Sequence, residues 1–142
     1  MFLGRFAHNL DAKGRLAIPS RFRSSLEDGV VLTRGIDRCV TAYPMHAWDE
    51  FAARIAKLPM TDRNARQFRR MMFAEAANLA LDRQGRIVLP ADLRAFAEID
   101  REVVVIGVHT SFEIWRPDRW DEMQATVDDE SESIASHLAD LL

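Results

Sequence analysis

The stretch Asp11–Arg23, DAKGRLAIPSRFR, returns as Asp82–Arg94, DRQGRIVLPADLR. Asp11, Gly14, Arg15, Pro19 and Arg23 fall on Asp82, Gly85, Arg86, Pro90 and Arg94 at an offset of 71 residues. Further along, at an offset of 72, Gly35, Tyr43 and Trp48 fall on Gly107, Trp115 and Trp120. A duplicated unit with one extra residue in its second copy accounts for both offsets, and a repeat of this kind governs how the rest of the chain is read.

Within each copy Asp-x-x-Gly reads as a tight turn. Aspartate can accept from the backbone amides ahead of it, and glycine takes the positive φ that closes the turn. RLAI at 15–18 and RIVL at 86–89 are short, branched and apolar, as buried strands are. A β-hairpin across each turn is therefore expected, although the preceding GRFAHNL shows no clean alternation. Arg15 and Arg86 would leave their turns at an exposed edge.

Pro19 and Pro90 lack the amide a continuing ladder needs and have the φ of a first helical turn, which predicts short helices there. Phe22 with Leu26, and Leu93 with Phe96, are the expected core-facing pairs. Two more strands follow in each copy: VVLTR and CVTAY, then EVVVIG and FEIW. Trp48, Phe51, Ile55 and Leu58 recur at steps of three and four, predicting a helix from Met45 to about Leu58 that Pro59 ends. A second helix is expected from Thr61, with Asp62 near its start, to about Ala76. A further helix follows Pro117, and residues 131–142 read as weakly helical. The fold class is α+β, partitioned as a first unit at 1–48, a helical connector at 49–76, a second unit at 77–120 and an acidic C-terminal helix or tail at 121–142.

The net charge of −3 conceals an uneven distribution. Residues 118–142 hold eight acids against one base, which leaves 18 bases against 14 acids in residues 1–117. The body is mildly basic and the tail acidic, with DDESE at 128–132 read as a solvated stretch. No apolar run approaches the roughly 18–20 residues of a membrane helix, and MFLGRFAHN is polar where a signal peptide would be apolar. Cys39 is the one cysteine. It excludes an intrachain disulfide and a cysteine metal cluster, and it reads as a small core hydrophobe. A cytosolic setting is expected, with no membrane partner.

Turn geometry explains the aspartate and the glycine of the repeated loop but not why arginine follows both glycines. A β-ribbon fits the DNA major groove, and a guanidinium can donate two bonds to guanine O6 and N7, worth about 1–3 kcal/mol of discrimination. Arg15 and Arg86 are the candidate base readers. Asp11 and Asp82 either aim those arginines, brace the turn, or accept from a cytosine amino group. Lys13 suits a phosphate or a base edge; Gln84 replaces it in the second copy, where Arg83 can compensate. Arg21, Arg23 and Arg94 either reach phosphate or cap the short helices. RIAKLPMTDRNARQFRR at 54–70 is either an anion patch or a solvated helix face.

His8 is either a DNA contact or a solvent-facing strand residue. His8, His46, His109 and His137 lack metal-ligand spacing, and neither a phosphate loop nor a nucleophile elbow is present, so no catalytic residue, metal or cofactor is expected. Two rival readings remain open: an oligomeric scaffold whose loops are only turns, and a small-molecule enzyme on a double-psi-like barrel, which would need a polar pocket.

The start MFLGRFAHNLDAKGRLAIPSRFR, the second LDRQGRIVLP and the chain length resemble the MraZ family of bacterial transcriptional regulators, associated with the division and cell-wall gene cluster. The likeness spans the chain through about Trp120. It implies two AbrB-like (SpoVT-AbrB) units in one chain, a tandem, pseudo-symmetric counterpart of the swapped-hairpin β-barrel with peripheral helices. It also implies ring-like homo-oligomers, nucleoid association, and binding of double-stranded DNA at short G-rich direct repeats in a promoter. The family's loop residues carry over to Asp11 with Arg15 and Asp82 with Arg86. Trp48 and Trp120 then sit on helices that serve either subunit contacts or the intrachain core.

Overall fold

A computed structural model describes residues 1–142. Eight strands and six helices follow in chain order. The strands are β1 (Arg5–Asn9), β2 (Arg15–Ala17), β3 (Val30–Arg34), β4 (Val40–Pro44), β5 (Ala77–Leu79), β6 (Arg86–Val88), β7 (Glu102–Gly107) and β8 (Phe112–Trp115). The helices are α1 (Ser20–Arg23), α2 (Met45–Ala56), α3 (Arg63–Ala74), α4 (Ala91–Phe96), α5 (Pro117–Asp129) and α6 (Ser131–Leu138). The result is a mixed α+β fold with antiparallel sheets. No helix is long and apolar enough to cross a membrane.

Six strands form one sheet in the order β1-β7-β8-β4-β3-β5, and β2 pairs with β6 as a separate ribbon. Exchanging the two sequence copies turns that order into itself read backwards. The ribbon obeys the same symmetry. Arg15 lies opposite Val88 and Ala17 opposite Arg86, so the 71-residue offset carries one pair onto the other and Leu16–Ile87 onto itself. At the far side of the core, Val40–Ile114 and Ala42–Phe112 exchange in the same way about Thr41–Glu113. A pseudo-twofold axis thus passes between Leu16 and Ile87 and between Thr41 and Glu113.

The expected hairpins form only at their tips. The Asp11 amide donates to the Arg15 carbonyl at 3.0 Å and the Asp82 amide to the Arg86 carbonyl at 2.9 Å, closing each turn. Beyond that point the arms part. β1 pairs with β7 and β2 with β6, both from the other copy, while β5 of the second copy pairs with β3 of the first. Local turn chemistry specifies the tip, but the amides of the arms are satisfied by whichever ladder buries more apolar surface, and here that ladder comes from the opposite repeat.

The apolar positions of both copies meet in one core that includes Leu16, Ile18, Leu32, Val40, Ile87, Leu89, Val105 and Ile114. Phe2, Phe22 and Phe112 form its aromatic centre, with ring centroids 4.9–5.3 Å apart. Phe22 and Leu26 are buried as expected, and Leu93 with them. Phe96 departs from expectation. It lies outside this core with the Arg34 guanidinium 4.1 Å above its ring, and Ala97, four residues after Leu93, takes the inward position. The Phe22–Leu26 spacing is therefore repeated at Leu93–Ala97, with a smaller side chain at the second position.

α2 and α3 end two residues earlier than expected, at Ala56 and Ala74. The Asp62 carboxylate caps α3 by accepting from the Asn64 and Ala65 amides. Buried Thr33 donates from Oγ1 to the Met72 carbonyl at 2.7 Å and holds the end of α3 on β3. Trp48 packs at a tilt against Tyr43 (5.7 Å) and Trp120 edge-on against Trp115 (5.6 Å), so both tryptophans make contacts within the chain. Cys39 is fully buried, and burial pushes its thiol well above the ordinary range.

Leu16 is wholly buried on the pseudo-twofold axis, where its loss leaves a cavity that both repeats border. Leu16→Ala is expected to cost about 2–5 kcal/mol, read as a lower urea midpoint. A change within about 0.5 kcal/mol, the usual range of a surface substitution, would show that the ribbon is not part of the common core.

Candidate functional site

The β2–β6 ribbon presents alternate residues to opposite sides, as the pleat requires. Leu16 and Ile87 point into the core; Arg15, Ala17, Arg86 and Val88 share the outer face. Arg15 and Arg86 are diagonal neighbours there, separated by small Ala17 and by Val88, which is 54% exposed. Two cross-links from the glycines anchor the ribbon ends. The Ile18 amide donates to the Gly85 carbonyl at 2.9 Å and the Leu89 amide to the Gly14 carbonyl at 3.0 Å.

Each turn is organised by its aspartate. Asp11 Oδ1 accepts from the Lys13 and Arg15 amides, both at 2.9 Å, and its Oδ2 accepts from Arg15 Nε at 2.6 Å. Asp82 repeats the pattern with the Gln84 and Arg86 amides at 2.9 Å and Arg86 Nε at 2.9 Å. Gly14 and Gly85 adopt φ of +76° and +74°, a region that costs a residue with a Cβ about 1–2 kcal/mol. One carboxylate thereby fixes both the backbone of the turn and the direction of the arginine that leaves it.

The arginines are less exposed than expected. Their side chains are 29% and 26% accessible, so each is largely covered by protein. The two turns also meet: Arg86 Nη1 lies 3.9 Å from Asp11 Oδ2. Lys13 and Arg83 stand exposed at the tips.

The surrounding basic residues divide. Arg23 donates from Nε to the Ile18 carbonyl, and Arg94 from Nε to the Ile99 carbonyl and from Nη2 to the Asp100 carbonyl, which makes both of them caps of local backbone. Arg23 also lies directly on Gly85, where a Cβ would collide with it. That contact ties the short helix of one repeat to the turn of the other, and nothing in the local sequence signals it. On α3, Arg66, Arg69 and Arg70 donate to Met60 O, Ala56 O and Gln67 Oε1. Arg69 thus satisfies the carbonyl end of α2, which favours the solvated, capping reading of this face. His8 is half-buried opposite Val103; desolvation first and the Arg23 charge second hold its pKa below the ordinary value.

A chain with this pseudo-twofold core and a pair of aspartate-braced arginine turns on one outer ribbon is a tandem-repeat protein whose two copies share one core and one paired-turn surface. The family described as "MraZ protein, putative antitoxin-like" matches it twice, over residues 1–71 and 72–141, so that each match covers one repeat. Similar proteins include the "Transcriptional regulator MraZ" of Thermomicrobium roseum, 53% identical over 142 residues and the whole of both chains. Those of Roseiflexus castenholzii and Herpetosiphon aurantiacus carry the same name. The first is 47% identical over 99% of both chains, the second 50% identical over 98% of this chain and 97% of the relative. The chain belongs to the MraZ family.

The Asp11 carboxyl is held down at about 2, from 3.8, chiefly by the Arg15 amide and further by the Arg15 guanidinium and the Lys13 amide, against the opposing effect of desolvation. Asp82 is lowered for the same reasons. A carboxylate whose folded pKa is depressed stabilises the fold above its unfolded pKa and loses that contribution as pH falls through the folded value. Asp11→Asn keeps the side-chain carbonyl but removes the charge. The variant is expected to be less stable than the parent at neutral pH, with the difference shrinking between pH 3.8 and about 2, as measured by urea midpoints across that range.

Proposed function

We propose that this chain is a sequence-specific DNA-binding transcriptional regulator. It reads short G-rich direct repeats in a promoter, that of the division and cell-wall gene cluster, through the turns at Asp11–Arg15 and Asp82–Arg86. The observation that carries the reading is the shared outer face of the β2–β6 ribbon, where an aspartate holds each of two arginines by its Nε. A two-stranded ribbon has the width of the major groove, and an aimed guanidinium matches guanine O6 and N7. Lys13 and Arg83 at the tips are placed for phosphates, which position the protein without reading sequence.

Residues 1–48 and 77–120 act as two AbrB-like units, joined by the connector at 49–76 and followed by the acidic segment 121–142. The exchange of β1 and β5 between repeats supports a swapped-hairpin barrel closed within one chain. A mildly basic body makes few phosphate contacts and binds one repeat weakly. A ring-like homo-oligomer offering several identical ribbons to several repeats raises the effective concentration of each contact. The relatives' name, transcriptional regulator, supports action on DNA, which places the chain in the cytoplasm at the nucleoid under this proposal.

Arg15→Ala is expected to lower affinity for the upstream repeats by about tenfold to a hundredfold while leaving a scrambled duplex nearly unaffected. Lys13→Ala weakens both duplexes alike and lowers the salt slope by about one. Fluorescence anisotropy over a range of salt concentrations measures both effects. Equal affinity of the parent chain for repeat and scrambled duplexes would instead favour an assembly protein without specific DNA binding.

A further inference from the structure

The two turns are alike in sequence and alike in how aspartate holds Nε, but they differ beyond that bond. Arg15 is fixed to protein on one side only: Nε meets Asp11 Oδ2, and its terminal nitrogens have no protein acceptor. Arg86 is held on three sides. Its Nε donates to Asp82 Oδ2, its Nη2 donates to Gln84 Oε1 at 2.8 Å, and its Nη1 faces Asp11 Oδ2 at 3.9 Å. The terminal edge through which a guanidinium pairs with guanine is thus shared with two protein oxygens. The first turn cannot build this clamp, because Lys13 stands where the second has Gln84 and its side chain carries donors only. Arg23, lying on Gly85, further packs the second turn against protein, whereas the nearest neighbour of a Cβ at Gly14 would be Arg94 Nη1 at 3.5 Å.

We propose that Gln84 divides the work between the turns: it clamps Arg86 as a brace for Asp11 and the second turn, leaving Arg15 as the one base-reading arginine of each chain. This rests on the DNA-binding reading above. Asp11 then serves two arginines, aiming Arg15 directly and taking support from Arg86 across the ribbon. Arg86 is a positioning residue that acts on the DNA through Asp11. Each chain presents one recognition arginine, so the spacing of guanines read by an assembly is set by the spacing between chains and not by the two turns within one.

The test uses the full chain and a duplex carrying the guanine-containing repeats from upstream of its coding region, with a scrambled duplex as control. Each guanine is replaced in turn by 7-deazaguanine, which removes the N7 acceptor. The set of sensitive guanines is mapped for the parent chain, Arg15→Ala, Arg86→Ala, Gln84→Ala and Gln84→Glu. Urea midpoints restrict the comparison to folded protein. Arg15→Ala should abolish discrimination between the duplexes. Arg86→Ala should weaken binding several-fold while the same guanines stay sensitive. Gln84→Ala, which frees the Arg86 terminal edge, should add sensitive guanines and raise affinity by about threefold to tenfold. Gln84→Glu, which retains an acceptor for Nη2, should keep the parental set. Loss of particular guanines in Arg86→Ala, or an unchanged set in Gln84→Ala, overturns the division of work and leaves DNA recognition standing. A parent chain that does not distinguish the two duplexes overturns both.

Discussion

The pairing of β2 with β6 across the pseudo-twofold axis is the constraint on which the rest of the molecule depends. The Gly14 and Gly85 carbonyls each accept an amide from the opposite repeat, and Leu16 and Ile87 bury their side chains at the crossing. Neither repeat can complete its own ladders without the other, because β1 and β5 are likewise exchanged. An unpaired buried amide costs about as much as a lost hydrogen bond. The two halves are therefore expected to fold as one cooperative unit, and the aspartate-braced turns inherit the rigidity of the common core.

That rigidity is what makes the aspartates effective. A carboxylate accepting two backbone amides and a guanidinium orients the arginine before any ligand arrives, which lowers the entropy lost when the arginine engages one. The positive φ of the glycines brings the chain round tightly enough for the aspartate to reach the residue four positions on. The core fixes the ribbon, the ribbon fixes the turn, and the turn fixes the guanidinium. Symmetry ends at the last step, where Gln84 offers Arg86 an oxygen that Lys13 cannot offer Arg15.

Much of this was legible in the residues. The double offset disclosed the duplication, the Asp-x-x-Gly spacing disclosed the turns, and Pro19, Pro90 and Asp62 marked helix starts that the structure contains. The likeness of the two loops to a family pattern was borne out by the match of both repeats. Phe96 was misplaced because periodicity alone cannot distinguish a core position from one under an arginine. The hairpin arms were misassigned because a tip that closes locally says nothing about which strand each arm then joins.

By itself the sequence determined what depends on near neighbours along the chain. Positive-φ glycines, aspartates reaching two and four residues ahead, proline-initiated helices and runs of branched residues are all local in origin, and their energetics are nearly the same wherever the segment lies. Only the tertiary structure decided which ladders the arms complete, that Asp11 and Arg86 face one another, and that Arg23 rests on the other repeat's glycine. Those contacts join residues tens of positions apart, and the burial of a shared core selects among pairings that the local chain leaves equivalent.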